Sequence, residues 1–308
     1  MQNTPILSKN FSNCRFAFAL LVAAAVALSG CGQRDAAPTS QQAPSEVAVS
    51  TSDRGPVKIV TPAAEFEILP SGYIRASLLK DGQKLTLDDP EAETQAAGDT
   101  VMVDGKEIRD FPLDLAHAQT LAPQFLPGAR GKRVAIAAPR VQSGLAAIEK
   151  TVAVEVYDEL PHVALTAVAY KNVGNADIRI DQVVAQRHRL SASRAEANAP
   201  PYALWSFHGS SDEWGKDEIV QVARGFMRPN VMGAISRSGA GGGVPVVAFW
   251  TKSVGAAIGH AELQPVVLSI PAHVAGDSRV DVRVSLNPEW KLRPGETYVA
   301  PLTFVTVY

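Results

Sequence analysis

The sequence predicts an all-β protein, a large antiparallel β-sandwich of two sheets. Three observations point there. Apolar and polar residues alternate over many short runs, Asp-Gly pairs punctuate those runs at hairpin spacing, and helical periodicity is nearly absent. The 21 prolines and 23 glycines fall mostly between the apolar runs, where turn residues belong.

The first thirty residues stand outside the fold. Lys9 and Arg15 precede an apolar run at residues 16–28, too short for a comfortable membrane span, so residues 1–30 read as a signal peptide. The run ends in "LSGC" (residues 28–31), which resembles the lipobox of bacterial lipoproteins and implies that Cys31 becomes a lipidated first residue. An ordinary signal peptide with an incidental cysteine is the alternative. The chain has two cysteines, and Cys14 leaves with the signal, so Cys31 has no internal disulfide partner. Gly32 after the cysteine implies sorting to the outer membrane. Residues 31–56 are rich in Ala, Ser, Thr, Gln and Pro and cannot bury enough surface to offset their ordering entropy; they read as a flexible tether. Residues 57–308 remain, long enough for one large sandwich with a substantial core.

Within that domain the strands follow in order. "YIRASLLK" (residues 73–80) is a strand leading into a turn at Asp81-Gly82, and "VMVDGKEI" (residues 101–108) repeats the device at Asp104-Gly105. "PLDLAHAQTLA" (residues 112–122) is the one stretch suited to a short helix or an irregular crossing. "TVAVEV" (residues 151–156) points Val152, Val154 and Val156 inward. "DIRIDQV" (residues 177–183) sets Ile178 and Ile180 opposite Arg179 and Asp181. "VDVRVSL" (residues 280–286) places Val280, Val282, Val284 and Leu286 on one face and Asp281, Arg283 and Ser285 on the other.

A formal net charge of −2 and a pI near 6.3 give no electrostatic reason to expect a nucleic-acid partner. The chemistry-bearing stretch is "LWSFHGSSDEWGKDEIVQV" (residues 204–222). Its carboxylates, Asp212, Glu213, Asp217 and Glu218, invite comparison with glycoside hydrolysis, which needs two carboxyls roughly 5–9 Å apart flanking one bond. Adjacent acids rarely point across one sugar, and a polar loop leaves both solvated. Aromatic residues beside acids do suit sugar contact, because an indole stacks on the apolar face of a pyranose. The plainer reading makes Trp205 a core residue and Trp214 a cap on the sandwich.

Other motifs are weaker. The glycine run in "SGAGGGVPVVAFW" (residues 238–250) lacks the Gly-Lys-Ser/Thr of a P-loop and runs through Pro245 into a strand, so it reads as a tight turn. His260 and Glu262 lie at strand spacing on one face, without a second ligand pair, which favours a structural histidine over a metal ligand. No Gly-x-Ser-x-Gly elbow is present. Neither a metal nor a cofactor is expected.

Trp214 to Asp217 ("WGKD"), the "GGGVP" turn at residues 241–245, "WTKSVG" at residues 250–255 and "IGHAE" at residues 258–262 occur in the order seen in the N-terminal part of α-galactosidase-type enzymes. The chain resembles that region of glycoside hydrolase family 36 over roughly residues 57–308. "EVYDELPHVALTAVAYKNVGN" (residues 155–175) resembles the central strand pair of the same domain. The resemblance implies a galactose-mutarotase-like β-supersandwich. It also implies that the catalytic aspartates belong to a (β/α)₈ barrel, for which this sequence shows no βα alternation. No catalytic residue is therefore assigned, and the barrel is expected on a separate or missing segment. The expectation is a lipid-anchored sandwich that supports or walls a carbohydrate site, with an α-galactoside-like ligand. Its sugar-contact candidates are Trp214, Asp212, Lys216 and Asp217. The rival is a stand-alone saccharide-binding or scaffolding lipoprotein of the outer membrane. A third reading makes the chain an enzyme in which carboxylates of residues 212–218 converge with Glu262. The first two differ in the surface they require: an apolar docking face for one, a polar-rimmed groove with exposed aromatics for the other.

Overall fold

The structure is a computed structural model, and it describes residues 44–51, 55–90, 97–144, 146–209, 218–232, 246–263, 266–274 and 279–308. Its elements are antiparallel strands joined by turns, with two single-turn 3₁₀ helices, Leu115–His117 and Ala192–Arg194. The stretch expected to form a helix or a crossing supplies the first of these.

The described strands form three sheets. One is a meander running through Ala48–Ser50, Val57–Val60, Ala64–Ile68, Ile74–Lys80 and Gln83–Leu85. Its first strand lies within the stretch read as tether, and it is held there by pairing with Val57–Val60 and by burial of Val47. The largest sheet runs in the order Glu218–Gln221, Trp205–His208, Val246–Trp250, Gly255–His260, Thr303–Val307, Leu160–Asn172, Ala146–Tyr157, Gly131–Ala137, Gln119–Leu121. A third sheet centres on Ile178–Leu190, flanked by Val280–Leu286 and by Thr100–Val103.

The large sheet faces the other two. Leu160–Asn172 packs on both Ala64–Ile68 and Ile178–Leu190, while Thr303–Val307 packs on Ile74–Lys80 and Gly255–His260 on Val280–Leu286. An isolated bridge from Asp88 to Leu190 joins the two smaller sheets along one side. This is the predicted sandwich, with the second layer made from two sheets. The expected inward residues do line a single contiguous core: Val152, Val154 and Val156, Ile178 and Ile180, and Val280, Val282 and Val284. The hairpins also form where expected. Asp81 and Gly82 have φ of 51° and 73°, and Asp104 and Gly105 have 48° and 75°, the doubly left-handed geometry that matches strand twist.

Several acidic or basic side chains are buried, each beside a partner of opposite charge or a hydrogen-bond donor. Asp281 keeps its expected face, opposite to that of Val280 and Val282, and is buried there against the guanidinium of Arg187, with Arg189 at 3.5 Å and Arg283 at 3.2 Å. Asp88 is buried where it accepts bonds from Tyr73 Oη at 2.5 Å, Ala76 N–H at 2.8 Å and His188 Nδ1 at 2.8 Å. Lys150 and Asp99 lie inside the core, paired at 2.8 Å.

Candidate functional site

The large sheet has one face on the core and one face outward, and the outward face carries the unusual features. Inward positions such as Ser206, His208, Val247, Phe249, Ile258, Val305 and Val307 are buried. Their alternates, Trp205, Phe207, Ala248, Trp250, Phe304 and Thr306, point out and stay partly or well exposed. That face is apolar over several adjacent strands. In a sandwich the outer face is ordinarily polar, so this pattern marks a surface built for contact.

Part of the face is roofed by a loop. Glu155, outward-facing yet fully buried, accepts the backbone N–H groups of Gln124 and Phe125 at 2.9 Å each and bonds Arg133 Nη1 at 2.7 Å. Tyr157 donates its hydroxyl to the same carboxylate and accepts Leu126 N–H at 3.0 Å. Burial, then the Glu155 hydrogen bond, pushes the Tyr157 hydroxyl pKa up. Arg133 also lies over the Phe125 ring at 5.0 Å. One carboxylate thus fixes residues 124–126 onto the sheet.

Beside this latch runs an apolar groove of about 540 Å³. Leu165 and Ala167 form its floor, Phe125 and Leu126 one wall, and Leu263, Val299 and Leu302 the other. Leu263 is 97% exposed, Val299 57% and Leu160 40%. Glu262 sits on the groove wall, with its carboxylate accepting the Leu302 N–H. His260 ends its strand just before, and its Nδ1 accepts the Glu262 N–H at 3.4 Å. Burial lowers the His260 pKa against the opposing pull of Glu262. The pair caps a strand end, and no cluster of three or more metal-ligating side chains occurs among the described residues.

A second feature occupies the other end of the face. Trp205 is directly opposite Trp250 in antiparallel register, Trp250 is opposite Gly255, and Gly255 exchanges backbone hydrogen bonds with Tyr308 at 2.7 and 3.1 Å. The Tyr308 ring lies over Gly255, in the space a β-carbon there would fill. Three aromatic side chains therefore stand in one row across the sheet. Trp205, for which a core position was the plainer reading, is 46% exposed because strand register turns it outward.

The sequence candidates Asp212, Trp214, Lys216 and Asp217, with Glu213, lie outside the described residues, as do Cys31, the signal peptide and the glycine turn at residues 241–243. Their flanks are described. His208 pairs with Glu218, and Glu218 is exposed and ion-paired to Arg228 at 3.1 Å. Beneath, His208 Nδ1 accepts from Asn230 Nδ2 at 3.0 Å, which leaves its proton on Nε2, where no partner is present among the described residues. Burial and the nearby Arg228 lower its pKa to about 4. The aromatic row and the Glu155 latch were not singled out from the sequence. Both depend on cross-strand register, which the sequence shows only as alternation.

No protein-family model matches the sequence, and no curated protein matches it. Solved structures do. The family 36 α-galactosidase AgaB of Geobacillus stearothermophilus superposes with a TM-score of 0.57 at 14% identity, over 85% of this chain and 41% of that one. The galactosidase domain of the α-galactosidase–sucrose kinase AgaSK gives 0.57 at 13% identity, over 85% and 42%. The α-galactosidase of Lactobacillus brevis gives 0.54 at 11%, over 86% and 39%. The chain has the fold of the β-sandwich part of these enzymes and spans about two fifths of their length.

Proposed function

We propose that this sandwich is the lipid-anchored accessory domain of an α-galactosidase-like glycoside hydrolase, supporting a carbohydrate site whose catalytic groups lie on a separate module. The fold it shares with family 36 structures supports the reading. The observation that carries it is the apolar groove on the outward face. Leu160, Leu263 and Val299 are held open to water around a formed floor, at a cost of about 25 cal/mol for each Å² of apolar surface left exposed. Such a face calls for a cover, and a rigid module docked there would bury it. The Glu155 latch keeps one wall preformed, so docking would require little ordering.

On this reading residues 210–217, between the paired His208 and Glu218, carry the polar rim of the sugar site, with Trp214 as the stacking aromatic. Lipid on Cys31 fixes the assembly to the bacterial envelope at the outer membrane.

The test uses the native envelope protein. Immunoprecipitation through the sandwich should recover hydrolysis of p-nitrophenyl α-galactoside. Leu263→Asp with Val299→Asp should remove that activity from the precipitate while leaving sandwich unfolding unchanged. A precipitate without α-galactosidase activity, from protein that is otherwise intact, would falsify the reading. Cys31→Ser should release the chain from the membrane fraction and abolish incorporation of labelled palmitate.

A further inference from the structure

The aromatic row shares no residue with the groove or with the stretch 210–217, and its chemistry differs from that of the groove. The groove is mainly aliphatic; the row is Trp205, Trp250 and Tyr308, with Gln221 opposite Trp205 on the adjoining strand. Three properties bear on what it takes. First, none of the three rings is stacked on another aromatic side chain among the described residues, and Trp205 and Tyr308 are well exposed. Second, no side-chain hydrogen bond is made by the Trp205 or Trp250 indole N–H or the Tyr308 hydroxyl among the described residues, so three polar groups are free at the same surface. Trp and Tyr with an apolar body and an unused polar handle suit a ligand that offers both kinds of surface. Third, the three residues stand in one cross-strand row, Trp205 opposite Trp250, Trp250 opposite Gly255 and the Tyr308 ring over Gly255, on strands about 4.8 Å apart. Gly255 is what allows this: with any side chain there, the Tyr308 ring could not fold back toward Trp250.

A sugar chain has this complementary form. Each pyranose presents an apolar face of axial C–H groups and an edge of hydroxyls, and successive units repeat at a distance comparable to the strand separation. The side chains of Trp205, Trp250, Tyr308 and Gln221 carry no charge at neutral pH, which suits a neutral ligand. We infer that Trp205, Trp250 and Tyr308 form a saccharide-stacking strip for a run of about three neutral sugar units, with Gln221 at one end to receive hydroxyls. The strip does not depend on the docking reading, because it needs only this chain.

The test is titration of the full chain with neutral gluco- and galacto-oligosaccharides of one to six units, read by tryptophan fluorescence and calorimetry. Affinity should rise with length and level off after about three units, as the strip fills. Trp205→Ala should weaken binding by about tenfold or more, while Trp205→Phe retains most of it. Trp205 is exposed, so its replacement leaves the fold intact, and an unchanged unfolding curve checks this. Tyr308→Ala should shorten the length dependence by one unit. Trp290→Ala, which replaces an exposed tryptophan on the third sheet, should leave this binding unchanged. Loss on Trp214→Ala with none on Trp205→Ala would overturn the strip and favour residues 210–217. No binding of any oligosaccharide at millimolar concentration would also overturn it, as would binding of a protein module that protects Trp205 while sugars do not compete.

Discussion

Lys150 Nζ lies 2.8 Å from Asp99 Oδ1 inside the sandwich, and both side chains are almost wholly removed from solvent. Asp99 also accepts the Tyr170 hydroxyl at 2.6 Å, and the ammonium lies 5.2 Å from the centre of the Phe111 ring. Neither charge has water to fall back on, so each depends on the other. Removing one leaves the second desolvated and unpaired. Lys150→Met should therefore cost about 3–5 kcal/mol of stability, read as a fall in the urea midpoint. The double variant with Asp99→Asn should recover part of that loss. If the single variant unfolds at the wild-type midpoint, the pair contributes nothing.

His208 makes stability depend on pH. Its pKa in the fold is about 4, against 6.5 unperturbed, because burial disfavours the imidazolium. The unfolded chain therefore binds the proton first as pH falls. The stability associated with neutral His208 is complete above pH 6.5 and is lost progressively between there and about pH 4. The loss amounts to about 3 kcal/mol. Urea midpoints across that window should fall, and His208→Gln should flatten the dependence. His260 is lowered in the same direction and contributes with the same sign.

Glu155 holds residues 124–126 on the outward face. Glu155→Gln keeps the shape, but it removes the charge that Arg133 meets and turns one acceptor into a donor facing N–H groups. The expected cost is about 2–3 kcal/mol. Hydrogen exchange at the Gln124 and Phe125 amides should speed up by at least as much as the global change. Unaltered protection at those two amides would mean that the loop is held by Phe125 packing instead.

Gly255→Ala tests the aromatic row by geometry alone. A β-carbon there would stand 2.3 Å from the Tyr308 ring, so the ring must leave. Displacement should cost about 1–3 kcal/mol and should weaken oligosaccharide binding to the level of Tyr308→Ala. Full binding by Gly255→Ala would remove Tyr308 from the site.

Much of the fold was legible locally. The Asp-Gly turns specify their hairpins through left-handed φ, and runs such as 280–286 show which residues face the core. Alternation gave the face of Asp281 but not its burial, because a carboxylate buried among arginines follows an alternating pattern as well as an exposed one does. Trp205 shows the same ambiguity in reverse. Alternation says that it and Phe207 share a face, but not which face is covered.

The sequence by itself determined the strands, their turns and the core-facing valines, because period-two alternation and turn chemistry act between near neighbours. It also carries the charge balance that gives no electrostatic reason to expect a nucleic-acid partner. Only the tertiary structure decided that Glu155 would anchor residues 124–126, and that Trp205, Trp250 and Tyr308 would stand in one row. Those relations cross 31 residues in one case and about 100 in the other. They are set by which strands pair and in what register, a choice made by burying the whole core at once.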